Sequence, residues 1–166
     1  MRRLAPLAFL AALGGLSLSG CATTPGTSMT PTVAPAFVAM AASSDMYEIE
    51  SSRLALQRTQ NPMLRMHAEM MIRDHTNTTT QLKAAASSAG LGVPMQMLPL
   101  HAGLLDQLQR SPNFDATYRS QQITSHQQAL ALHTNYSRRG DVPQLRGVAA
   151  AAVPVVRGHL DHIQRM

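Results

Sequence analysis

From Ala36 onward the chain is dominated by Ala, Leu, Met and Gln, without runs of β-branched residues and with Pro and Gly gathered at a few places. In its middle, His67, Met71, His75, Thr78 and Leu82 succeed one another at steps of three and four, the spacing that lines one face of a helix. This composition and its interruptions predict four long helices. The first runs from about Ala36 to Gln60 and is stopped by Asn61-Pro62. The second opens at Pro62, where a missing N–H costs nothing, and reaches about Ala89 with Gly90 as its cap. The third follows the capping run Ser111-Pro112-Asn113 and ends at Gly140. The fourth begins at Val142-Pro143 and continues to the C-terminus, with a kink expected at Pro154.

Between the second and third helices, LGVPMQMLPLHAGLLDQLQR contains two prolines and a short amphipathic piece, about Pro99 to Arg110. Two tight connections and one of about twenty residues describe two antiparallel hairpins joined by a long crossover, an all-α arrangement that includes the ferritin-like four-helix bundles. An internal echo agrees with two hairpins. LALQ at 54–57 answers LALH at 130–133, and NPMLRMHA at 61–68 answers VPQLRGVA at 142–149. The echo makes Glu50 and His126 equivalent, each four residues before its LAL. His75 and His159 correspond if the second copy holds one extra turn near Pro154.

The N-terminus has a different character. Residues 1–20 combine a basic start, an apolar run from Leu4 to Leu18 and small residues before Cys21, the layout of a secretory signal. The apolar run falls short of the roughly 20 residues a membrane-spanning helix needs. Leu18-Ser19-Gly20-Cys21 resembles the lipobox of bacterial lipoproteins, which implies that Cys21 becomes an acylated N-terminus. With Ala22 rather than Asp after it, the resemblance implies an outer-membrane anchor facing the periplasm. Residues 21–35, rich in Thr, Pro and small side chains, are expected to be a tether, leaving 36–166 as one domain. Cys21 is the only cysteine, so an intrachain disulfide is excluded. The formal charge of +5 becomes +3 once Arg2 and Arg3 are removed with the signal. The remaining basic residues are scattered, with only Arg138-Arg139 adjacent, so no nucleic-acid partner is expected.

The candidate chemistry lies along the bundle axis. Glu50, His75, His126 and His159 sit one to a helix, each pair at similar distance from its tight turn. Imidazoles and a carboxylate in the middle of a bundle suit Fe, Zn, Mn or Cu. Glu48 rivals Glu50, because it shares a face with Ala41, Ser52 and Ala55, whose small side chains leave room for a ligand. Asp74 lies beside the His75 face, in register with Met63, Met66 and Met70, as a further ligand or as the group that orients an imidazole. His101, His133 and His162 are expected at the surface. The methionines of the second helix read as adaptable core, or as a soft-metal surface suited to Cu(I). Tyr118 reads as a core tyrosine. Nothing in the chain matches G-x-S-x-G or a Gly-rich phosphate loop.

The words FVAMAASSDMYEIESSRLALQRTQNPMLRMHAEMMIRDH, FDATYRSQQITSHQQALALH and VPVVRGHL resemble the DUF4142 family, over about Phe37 to Arg165. The resemblance implies a secreted or lipid-anchored protein with a ferritin-like bundle. Ferritin-like di-iron proteins carry Glu-x-x-His on two helices. Here Asp74-His75 and His159-x-x-His162 stand in that place, which argues for a histidine-rich, carboxylate-poor site. The expectation is a lipid-anchored envelope bundle holding a transition metal, for metal handling or stress defence, with any catalysis of a metal-dependent oxidoreductase type. The opposing expectation is a metal-free structural or interaction bundle whose His and Asp side chains form a buried hydrogen-bond network.

Overall fold

A computed structural model describes residues 31–166; the signal segment, Cys21 and most of the tether lie outside the described residues. Five helices follow in order: α1 (Ala34–Arg58), α2 (Pro62–Ser88), α3 (Pro99–Arg110), α4 (Phe114–Arg139) and α5 (Pro143–Gln164). The breaks have local causes. Asn61 caps α2, its side-chain oxygen accepting the N–H groups of Met63 at 2.9 Å and Leu64 at 3.4 Å. Gly90 takes φ 71° after α2, the left-handed conformation that lets Leu91 N–H return to the Ala86 carbonyl at 2.9 Å. At Gly140 the Tyr136 ring occupies the space a Cβ would need. The helix α5 stays continuous through Pro154.

The hairpins α1–α2 and α4–α5 lie side by side, with α1 along α4 and α2 along α5. Phe37 meets Tyr136, Tyr47 meets Gln121 and Ser52 meets Tyr118, so α1 and α4 are antiparallel. His67 meets His162 and Asp74 meets His159, so α2 and α5 are antiparallel too. Consequently α2 and α4 run the same way, and their connection must traverse the length of the bundle. The helix α3 makes that crossing over the α1–α4 seam, with His101 against Ser43, Leu104 against Gln121 and Gln109 against Arg58. This is the ferritin-like crossover.

Apolar packing is concentrated at the two ends. Phe37, Leu82, Leu132, Tyr136 and Leu145 fill one end; Leu64, Leu108, Phe114, Tyr118 and Ile163 fill the other. Between them α1 buries Asp45, Glu48, Ser51 and Ser52, and the facing helices bury His67, His75, Gln122, His126 and His159. A polar slab therefore divides the core. Burial of such groups is unfavourable unless each is paired, so their partners decide what the slab is for.

Candidate metal centre

His75 comes from α2, His126 from α4 and His159 from α5, all buried. Each ring uses one nitrogen on an oxygen. The His75 Nδ1 donates to Asp45 Oδ1 at 2.8 Å, and Asp45 Oδ2 accepts from Thr78 and Thr79 at 3.1 and 3.0 Å. The His126 Nδ1 donates to the Gln122 carbonyl at 2.8 Å, and the His159 Nε2 donates to Asp74 Oδ2 at 3.0 Å. These bonds fix all three tautomers. They leave His75 Nε2, His126 Nε2 and His159 Nδ1 buried with no protein partner. Ligating nitrogens of the three rings lie within 4.8 Å of one another.

An orphaned buried nitrogen is unfavourable, and three converging ones need a common explanation. A tetrahedral ion bound through nitrogen at about 2.0–2.1 Å holds its ligands about 3.3 Å apart. From separations within 4.8 Å the three rings would have to draw together to hold such an ion, and the outward hydrogen bonds are those that metal-bound histidines make. Three protein ligands leave a fourth position open.

Electrostatics favour neutral rings with free lone pairs at two of the three histidines. Burial drives His126 well below its ordinary pKa, and the neighbouring His75 and His159 push the same way. Burial also lowers His159 to about 4, against the opposing pull of Asp74. His75 differs: burial pulls it down, but the hydrogen bond and charge of Asp45, together with the charges of Glu48 and Asp74, raise it. Glu48, fully buried beside the triad, is raised to about 7 by burial, against the charge of His75 and the Gln122 hydrogen bond. Its Oε2 accepts from Gln122 Nε2 at 2.6 Å, and its Oε1 has no hydrogen-bond partner and lies 3.7 Å from His126 Nδ1.

The triad is approached from outside. A groove of about 480 Å3 between α2 and α5 is lined by Met70, Asp74, Pro154, His159 and His162. Asp74 stands between Arg73, at 2.8 Å, and His159. These two partners hold its carboxyl below the usual range although burial works against them.

Of the four residues expected to cluster, the structure brings together His75, His126 and His159. It does not bring Glu50, which is half exposed and paired with Arg53 at 2.6 Å; the inward carboxylates of α1 are Asp45 and Glu48. His101 and His133, expected at the surface, are buried. His101 bonds Ser43 at 2.6 Å, and His133 packs edge-on against Phe37. The methionines of α2 also depart from the core expectation: Met71 is buried, but Met63 and Met66 are 47 and 48 % exposed. Tyr118 is fully buried with its hydroxyl on Ser52, as a core tyrosine. Asp45 and Gln122 were missed as parts of the slab, whereas His67 lay on the His75 face already read from the sequence. Asp45 sits midway in the Ala41–Glu48–Ser52–Ala55 line already visible in the sequence.

The family model for DUF4142, a domain of unknown function, matches residues 19–166. The chain belongs to the DUF4142 family. Its bundle is similar to solved structures described as "CopM in the Cu(II)-bound form", with TM-score 0.68 and 22% identity over 80% of this chain and 94% of that one. It is similar to "CopM in the Ag-bound form (by co-crystallization)", with TM-score 0.66 and 21% identity over 80% and 93%. A DUF305 fragment from Deinococcus radiodurans gives TM-score 0.67 and 18% identity over 79% and 92%. At these identities the likeness shows a shared helical-bundle fold. No curated protein matches the sequence.

Proposed function

We propose that this DUF4142 protein binds a transition metal ion through His75, His126 and His159, and serves metal handling in the bacterial envelope. The observation that carries the reading is the convergence of three buried imidazole nitrogens, each left free by a hydrogen bond on the other side of its ring. A metal-free network would join such groups to one another. Here the three inward nitrogens have no hydrogen-bond partner, and those of His126 and His159, whose pKa values are lowered, face the centre as acceptors.

Imidazole donors suit Cu, Zn, Fe and Ni. Copper stands first, because the similar folds include structures described as Cu(II)-, Cu(I)- and Ag-bound. The open fourth position and the α2–α5 groove support an ion that exchanges with solution rather than one locked in for structure. Cys21, acylated at the lipobox, would hold the bundle on the periplasmic face of the outer membrane, with residues 22–33 as its tether. No helix among the described residues is long and apolar enough to cross a membrane.

The test is elemental analysis of residues 22–166, exported to the periplasm without a His-tag, beside a His75→Ala/His126→Ala variant. Near-stoichiometric metal in the parent and about one equivalent less in the variant is the expected result. In the same preparations a chelator should lower the melting temperature, and the ion identified should restore it by about 8 °C at a hundredfold excess over Kd. Absence of metal from the parent after reconstitution with Cu, Zn, Fe and Mn would overturn the reading.

A further inference from the structure

We propose that His67, His162 and Met70 form a second metal site, distinct from the triad, that takes a soft monovalent ion of the Cu(I) or Ag(I) class at the rim of the α2–α5 groove. The starting point is a pair of facing nitrogens: His67 Nδ1 lies 3.1 Å from His162 Nδ1, and the two rings are nearly parallel, 13° apart with centroids at 5.4 Å. His67 Nε2 is committed as donor to Gln122 Oε1 at 3.2 Å. Its Nδ1 therefore presents a lone pair toward α5. In the ion-free protein His162 answers with an Nδ1–H. When the His162 proton sits on Nε2 instead, both lone pairs converge on one point between the helices.

Two nitrogens bound to a three-coordinate ion at about 2.0 Å stand about 3.5 Å apart, so the pair has to open by only a few tenths of an ångström. The third ligand is at hand. Met70 is one turn beyond His67 on α2 and lines the same groove as His162. A thioether beside two imidazoles selects Cu(I) over the harder divalent ions. Met63 and Met66 continue that line outward along α2, about half exposed and outside the packed core. The His67 ring centroid is 6.3 Å from that of His126, which sets the second site directly beside the triad. Since none of its three ligands belongs to the triad, either site can fail alone.

Ag(I) is the probe, because it carries no redox chemistry into the titration. The full chain carrying Cys21→Ser, which removes its only thiol, is titrated while histidine ring nitrogens and methionine methyls are followed by NMR. Ag(I) should shift His67, His162 and Met70 in this chain and also in the His75→Ala/His126→Ala background. Met70→Leu, which keeps the side-chain volume, should weaken Ag(I) binding at that pair at least tenfold and leave Zn(II) binding within twofold. If the pair serves only to fasten α2 to α5, His67 and His162 stay unshifted in excess Ag(I), or Met70→Leu leaves the Ag(I) affinity unchanged. Either result overturns the second site.

Discussion

The His75 ring shows how much of the site is set by a residue that would touch no ion. Asp45 fixes which nitrogen carries the proton, and Thr78 and Thr79 hold that carboxylate in turn. Asp45→Asn keeps an acceptor oxygen but removes the charge. It should therefore lower metal affinity about 10- to 100-fold, read by competition with a chromophoric chelator, while the far-ultraviolet circular dichroism is unchanged. Unaltered affinity would reduce Asp45 to a folding role. The inward carboxylates were half legible. Ala41, Asp45, Glu48, Ser52 and Ala55 step by four and three along α1, and that stripe already pointed inward. The repeat pointed instead to Glu50, two residues on, a rotation of about 200° on a helix, and its side chain duly reaches out to Arg53. His101 and His133 carried no such signal. Each is buried by a neighbour distant in sequence, which a single-helix pattern does not report.

At the scale of elements, the helix ends were legible because they rest on local chemistry: Asn61 and Pro62 at one break, Gly90 at another, and Gly140 with Pro143 at the third. The path of α3 was not. Its start is tied to α1 by one hydroxyl, Ser43 Oγ, which donates to His101 Nδ1 at 2.6 Å and accepts the Leu98 N–H at 2.7 Å. The residues bonded are more than fifty positions apart, so no window of sequence shows the pairing. Ser43→Ala leaves a buried imidazole nitrogen and a backbone N–H unpaired. It should destabilise the protein by about 1–3 kcal/mol in urea unfolding. A loss below about 0.5 kcal/mol would mean that the Leu108 packing and the Gln121–Leu104 bond hold α3 without it.

For the whole molecule, the polar slab makes stability a function of pH, and its direction can be worked out from the buried histidines. Burial lowers His67, His133 and His159 to about 4, His126 well below its ordinary value, and His101 in the same direction. In the unfolded chain all five return to about 6.5. Between these limits the unfolded chain binds more protons than the folded one, so stability falls as the pH drops from about 6.5 toward 4. Two groups oppose this. Glu48, raised to about 7 by burial, and His75, raised by Asp45 against its burial, hold protons in the folded state that the unfolded chain has released. Their contribution is present at low pH and is lost as the pH rises through their folded values. Five against two leaves a net loss on acidification, and the melting temperature of the chelator-treated protein should fall by about 10 °C between pH 7 and pH 5. Bound metal would steepen the fall, since protons compete for the same three nitrogens. A melting temperature that stays level or rises on acidification would place protons on these histidines inside the folded bundle. That outcome requires a hydrated middle able to solvate imidazolium, and it would remove the low-dielectric setting that now keeps the His126 and His159 lone pairs free.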